Sequence, residues 1–188
     1  MAGLTGKTTS GVGADIVAYM SEVAQFFDVT IHVTSGFRSP DAQASAMFEN
    51  WVKMKHGACY KNSIGLDNWK KLDDWFNTAM DVKAPLKDRD AAKADFLKLA
   101  KDKMGSRSKH TKGRALDVAK IGITPIVYKA ITICLNEVRE GNRNDIYHFE
   151  KEHLVPEVNA EIKGKWQALK DGKSGCDFPS LPPGTIFC

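Results

Sequence analysis

The chain has 188 residues, 43% of them hydrophobic and 27% charged, with a formal net charge of +4 and a pI near 8.8. That is the composition of a soluble globular domain with enough residues to bury a core; no apolar run approaches the ~20 residues needed to span a bilayer. The mild basicity favours a polyanionic surface, but the lysines are spread and form no basic stripe interleaved with aromatics, so nucleic acid is not expected as a partner.

Met1–Gly13 is polar and glycine-rich and lacks the pattern of a secretory signal. Synthesis in the cytoplasm is therefore expected, with another route of delivery if the protein acts in the periplasm, the cell wall or outside the cell. Ser10 is a candidate cap for a helix to about Phe27, in which Val12, Ile16, Tyr19, Met20, Val23 and Phe27 recur at helical spacing. Val29, Ile31 and Val33 alternate with Thr30, His32 and Thr34, the pattern of a half-buried strand. Ser35-Gly36-Phe37-Arg38-Ser39-Pro40 is a turn, and Asp41 is placed to cap a helix to about His56.

Residues from about 57 to 105 read as a helical insert. Leu66, Trp69, Leu72, Phe76 and Ala79 repeat at three and four, as do Ala92, Phe96 and Leu99. Trp51, Trp69 and Trp75 are better read as packing residues than as sugar-stacking platforms, because aromatics at helical spacing usually face a core. Thr124-Pro125 is a cap followed by a first-turn proline, opening a helix to about Glu140 with Gly141 as its stop. Asp145 to Glu150 reads as a short strand. Pro156 opens a last helix, with Val158, Ile162, Trp166 and Leu169 on one face. Residues 171–188 form a Gly-, Pro- and Ser-rich tail expected to be irregular. Strands and helices mix without a βαβ rhythm, which predicts an α+β domain over 1–170 with a small antiparallel sheet flanked by helices. A monomer is expected. Of the four cysteines, Cys134 lies in an apolar helical pattern and reads as a buried thiol. Cys176 and Cys188 flank the Pro-rich tail and could pair in an oxidising compartment, although spacing does not fix pairing.

His110 and Asp117 stand seven positions apart in Ser108-Lys109-His110-Thr111-Lys112-Gly113-Arg114-Ala115-Leu116-Asp117. Catalytic zinc commonly takes three protein ligands and keeps one position open. Histidine and aspartate can supply a nitrogen and an oxygen, and the spacing suits a loop entering a strand. Gly113 permits a tight turn there, and Ala115 keeps the crossing narrow. Alone, HxxxxxxD is a weak pattern. Asp145-Ile146-Tyr147-His148-Phe149-Glu150 adds His148 as a third ligand and Asp145 as a general base. Positions three apart in an ideal strand face opposite sides, so Asp145 has to sit on a turn or bend. Arg38 is either a guanidinium for charge developing on a carbonyl oxygen or an exposed turn residue. His153 is the rival ligand, while His32 and His56 read as surface residues. Ser108 can contact substrate or cap a turn.

Together, Ser35-Gly36-Phe37-Arg38-Ser39 with Gln43, SxHxxGxAxD at Ser108–Asp117 and DxxHFE at Asp145–Glu150 resemble the zinc peptidases that group vancomycin-resistance D-Ala-D-Ala dipeptidases, D,D-carboxypeptidases, L-alanyl-D-glutamate endolysins and the hedgehog signalling domain. The three blocks occur in the family order. The resemblance implies an α+β zinc peptidase acting on peptidoglycan stem or cross-link peptides. It assigns Zn2+ binding to His110, Asp117 and His148, the general base to Asp145, oxyanion stabilisation to Arg38, and substrate contacts to Ser108 and Gln43. Aspartate at the base position and the HFE ending are similar to the endolysins, so an endopeptidase of L-alanyl-D-glutamate type, used in cell-wall lysis by a phage or as a secreted antibacterial effector, is the expected function. A D,D-carboxypeptidase and a non-catalytic zinc-stabilised binding module are the alternatives. The stretch between Gln43 and Ser108 is longer than in compact endolysins, and no repeat-type wall-binding module is evident.

Overall fold

The computed structural model describes residues 2–105, 107–138 and 145–173, which fall into two compact units. The first takes in residues 2–37, 113–138 and 145–173; the second takes in 38–105 and 107–112. The chain passes between them at Phe37–Arg38 and at Lys112–Gly113.

The first unit is an α+β layer. Its strands are β1 (Gly3–Gly6), β2 (Thr30–Ser35), β3 (Ala115–Ala119), β4 (Asn136–Glu137) and β5 (Ile146–Glu150), in the order β1-β2-β3-β5-β4. The pairings from β2 onward are antiparallel, as expected, and β1 adds to the edge in parallel. Alternation puts Ile31 and Val33 of β2, Leu116 and Val118 of β3 and Phe149 of β5 into one core. The helices α1 (Ala14–Phe27), α6 (Pro125–Thr132) and α7 (Ala160–Lys170) close that core with Ile16, Tyr19, Met20, Val23, Ala130, Ile131, Ile162 and Trp166. Cys134 is a buried free thiol in it.

The second unit has its own core. The helices α2 (Pro40–Asn50), α3 (Lys61–Ile64), α4 (Leu66–Met80) and α5 (Leu86–Met104) gather Met47, Trp51, Tyr60, Leu72, Phe76 and Phe96. The helices expected in the insert all lie here, and the unit begins before them, at Arg38. Trp51 is fully buried, with its ring edge-on to Phe96 at 5.1 Å and its Nε1–H donated to Asp73 at 2.8 Å. Trp69 donates to the His56 carbonyl at 2.9 Å, and both it and Trp75 pack against this core. The tryptophans are packing residues.

Several boundaries differ from the sequence expectation for identifiable reasons. α1 begins after Gly13 and not at Ser10, because the Gly13 N–H is donated to the Gly113 carbonyl at 2.7 Å. Ser39, not Asp41, caps α2, accepting the Ala42 N–H. α2 stops at Asn50, well short of His56: Lys55 and His56 have positive φ, and a Cβ on Gly57 would fall 2.3 Å from the Trp51 ring. The helix expected to reach Glu140 ends at Thr132. Asn136 and Glu137 instead pair with Glu150 and Phe149, and Tyr128 donates its hydroxyl to Glu137. The β-branched run Ile131-Thr132-Ile133 weakens helical continuation, and the exposed edge of β5 offers the backbone a ladder in its place. α7 starts at Asn159, whose side chain accepts the Ile162 N–H, and not at Pro156. Gly141, the Cys176–Cys188 pair and the rest of the tail from Ser174 lie outside the described residues.

Gly113 is the tightest point of the first unit. Its φ is +66°, and an added Cβ would lie 2.2 Å from the Gly11 carbonyl oxygen, which is backbone and cannot turn aside. Gly113→Ala is expected to cost about 2 kcal/mol or more, lowering the thermal midpoint by about 4–8 °C. An unchanged melting curve would show that the two backbones separate freely there.

Candidate metal centre

Strand alternation leaves one sheet face carrying Asp117, His148 and Glu150, opposite the core-facing Leu116, Val118 and Phe149. The antiparallel register puts Asp117 directly across from His148 and Ala115 across from Glu150. On the other side of β3, a bulge between Val33 and Ser35 brings Ser35 opposite Asp117. One extra residue on β2 re-aims the end of that strand, a common device beside functional sites.

His110 sits in the turn before β3. Its backbone carbonyl accepts the Arg38 N–H at 3.3 Å, and Thr111 closes the turn by donating its hydroxyl to the Ser108 carbonyl at 2.8 Å. His110, Asp117 and His148 form a buried group in which one ligand atom from each lies within 4.8 Å of the others. Asp117 is 1% exposed, His110 2% and His148 6%. Among the described residues the buried polar or charged side chains are these three with Ser35 and Gln43. A buried carboxylate between two imidazoles is costly to desolvate unless a cation compensates it. Two imidazole nitrogens and a carboxylate oxygen are a donor set that suits zinc, and the spacing is close enough for one ion at ~2.0–2.2 Å from each after small side-chain rotations. The group therefore fits a metal ion.

The remaining expected residues lie as follows. Arg38 is half-buried and donates Nη1–H to Gln43 Oε1 at 3.2 Å. Gln43, read from sequence as a substrate contact, thus holds the arginine. Ser108 is half-buried four residues past the end of α5, with its N–H donated to the Met104 carbonyl at 3.0 Å. Asp145 is an exposed residue in a bend one position before β5, and its carbonyl accepts the Lys120 N–H at 2.9 Å. It is not a member of the buried group. His153, the rival ligand, is exposed and outside the group, and its carbonyl accepts an N–H from Arg114. His32 is exposed on β2, and His56 pairs with Asp73 at 2.9 Å.

Two features went unread in the sequence. One is Glu150, two residues beyond His148 and hence on the same face; strand parity alone could have pointed to it. The other is Arg114, which grips the first unit from within the metal-site motif. Its Nη1 meets Asp15 Oδ1 at 2.7 Å, its Nε is donated to the Lys151 carbonyl at 3.0 Å, and Asp15 Oδ2 accepts the Val155 N–H at 2.6 Å. α1, the start of β3 and the segment after β5 are pinned together by this one pair. Burial alone would push the Asp15 carboxyl up, but the Arg114 hydrogen bond, the Val155 N–H and the Arg114 charge outweigh it and hold the group below its ordinary 3.8. A carboxylate with a depressed folded pKa stabilises the fold above its unfolded pKa and loses that contribution as pH falls through the folded one. Asp15→Asn should therefore melt below the wild type at pH 7, with about 1 kcal/mol lost, since the pair is only partly withdrawn from water. The gap should close as pH drops below about 4. A gap independent of pH would show that the charge on Asp15 is not what stabilises this junction.

No protein-family model, no curated protein and no solved structure matches this chain.

Proposed function

We propose that the protein is a zinc-dependent peptidase that hydrolyses amide bonds in the stem or cross-link peptides of bacterial peptidoglycan. The observation that carries this reading is the buried His110–Asp117–His148 group, assembled from two motif blocks that lie far apart in the sequence. The first block, with Arg38 held by Gln43 and tied by its backbone to His110, supports the same reading. His110, Asp117 and His148 would hold the ion; zinc in such a site supplies Lewis acidity and a lowered pKa for water.

The protein's own residues divide the remaining work. Arg38 offers a fixed guanidinium to the carbonyl oxygen as negative charge builds on it. Asp145 takes a proton from the attacking water as the C–O bond forms. It returns that proton to the amide nitrogen as the C–N bond breaks, leaving a carboxylate and an amine. The bend that holds Asp145 frees it from the strict alternation of β5, which would turn it away from His148. Ser108 contacts the substrate backbone. An endopeptidase of L-alanyl-D-glutamate type, delivered to the wall by lysis or secretion, is the specific form proposed.

The test is mass spectrometry of purified murein digested with the protein, with and without a chelator. Cleavage between L-alanine and D-glutamate, stopped by the chelator and restored by zinc, is the expected result. Release of single D-alanine residues would make it a D,D-carboxypeptidase instead. Digestion indifferent to the chelator would refute the metal assignment.

A further inference from the structure

β5 carries one acid that neither the ligand group nor the proposed chemistry uses. Glu150 Oε2 lies 3.5 Å from His148 Nε2, while the other ring nitrogen, Nδ1, lies 2.6 Å from Asp117 Oδ1. The imidazole thus has a carboxylate at each nitrogen. Both neighbours follow from the sheet: Glu150 shares a face with His148 because it is two residues on, and Asp117 is the cross-strand partner of His148. Ala115, directly across from Glu150, puts only a methyl group on that face. The Glu150 side chain is 23% exposed and that of His148 6%, so the contact is largely withdrawn from water.

A neutral imidazole has one N–H and one lone pair, and the partner at one nitrogen decides the role of the other. Between two carboxylates, one nitrogen must turn a lone pair toward an acid. A cation on that side removes the conflict. Asp117 is the acid that belongs to the buried donor group, so a cation held by that group would sit on the Nδ1 side and leave the proton to Nε2. We propose that Glu150 is a positioning residue that accepts the Nε2–H of His148 and thereby keeps the Nδ1 lone pair directed to the metal side. The inference rests on the metal reading above and adds the outer carboxylate that makes His148 a competent ligand. Asp145 and Glu150 then have separate duties: Asp145 moves protons, and Glu150 holds a ring.

The experiment compares the full-length wild type, Glu150→Ala, Glu150→Gln and His148→Ala. Zinc affinity is measured by competition with a chromophoric chelator, and the visible spectrum is recorded for the cobalt-substituted proteins. Glu150→Ala should bind zinc about 10–100-fold more weakly and change the cobalt spectrum, while its metal-free melting point stays within about 3 °C of wild type. Glu150→Gln, whose amide oxygen can still accept the N–H, should recover most of the affinity. Should the alanine variant fail to fold, Glu150→Thr takes its place under the same criterion, since threonine suits a strand and is too short to reach the ring. Wild-type affinity and spectrum in Glu150→Ala, beside lost binding in His148→Ala, would overturn the role of Glu150 and leave the metal site standing. A wild type that binds no zinc, or a His148→Ala protein that binds it unchanged, would overturn the metal reading and this inference together.

Discussion

Asp117→Ala is expected to lose metal binding and the proposed peptidase activity together. Asp117 is the anionic member of the group, 1% exposed at the centre of β3, with its Oδ1 on His148 Nδ1 at 2.6 Å. Removing it deletes the negative charge that balances a dication and leaves two buried imidazoles without an oxygen between them. Structural zinc in zinc-finger peptides binds with roughly 10–16 kcal/mol in total, shared among four ligands. Loss of one ligand of three should remove about 3–4 kcal/mol, or ~10²–10³-fold in affinity. Activity should fall by at least as much, since both the Lewis acid and the placement of His148 depend on it. Asp117→Asn, with the same shape and no charge, separates charge from packing: it should fold like the wild type and still bind zinc poorly. Competition titration reads the affinity, and release of new amino groups from murein reads the activity. An Asp117→Ala protein that binds zinc as the wild type does would remove the basis of the functional reading.

The second large effect is expected at Asp145. General-base catalysis contributes typically ~10²–10⁴-fold, so Asp145→Ala should lower kcat by that factor. Zinc affinity should stay at the wild-type level, because Asp145 lies outside the buried group. This pattern is the reverse of that expected for Glu150→Ala, where affinity falls first, and the two measurements on the two variants separate the roles. Full activity in Asp145→Ala would end its assignment as the base. Lost zinc binding in the same variant would place it in the metal shell.

What was legible in the sequence was what is written locally. The alternation of Ile31 and Val33 with polar neighbours identified β2, and the three-and-four spacing of Leu72, Phe76 and Ala79 identified α4, because side-chain period follows backbone geometry directly. The residue types of the centre were also readable, since a histidine and an aspartate in the second motif and a histidine in the third are chemically suited to one ion. That they meet was an expectation from the residue chemistry and from the resemblance; Asp117 and His148 come together only through the β3–β5 register, which joins residues 31 apart.

Tertiary structure decided the rest, for one recurring reason: short segments take their conformation from distant partners. Gly3–Gly6 has two glycines and no periodicity, and it is a strand because β2 offers it hydrogen bonds. Asn136–Glu137 continued a helical pattern in sequence, yet the open edge of β5 claims its backbone. Gln43 looked like a substrate-side residue and Arg114 carried no reading at all until the fold gave them Arg38 and Asp15 as partners. By itself, then, the sequence determined the candidate ligand types, the long helices and the alternating strands. The fold determined which atoms face one another, because hydrogen-bond register and close backbone crossings, such as Gly113 against Gly11, are properties of paired segments and not of either one alone.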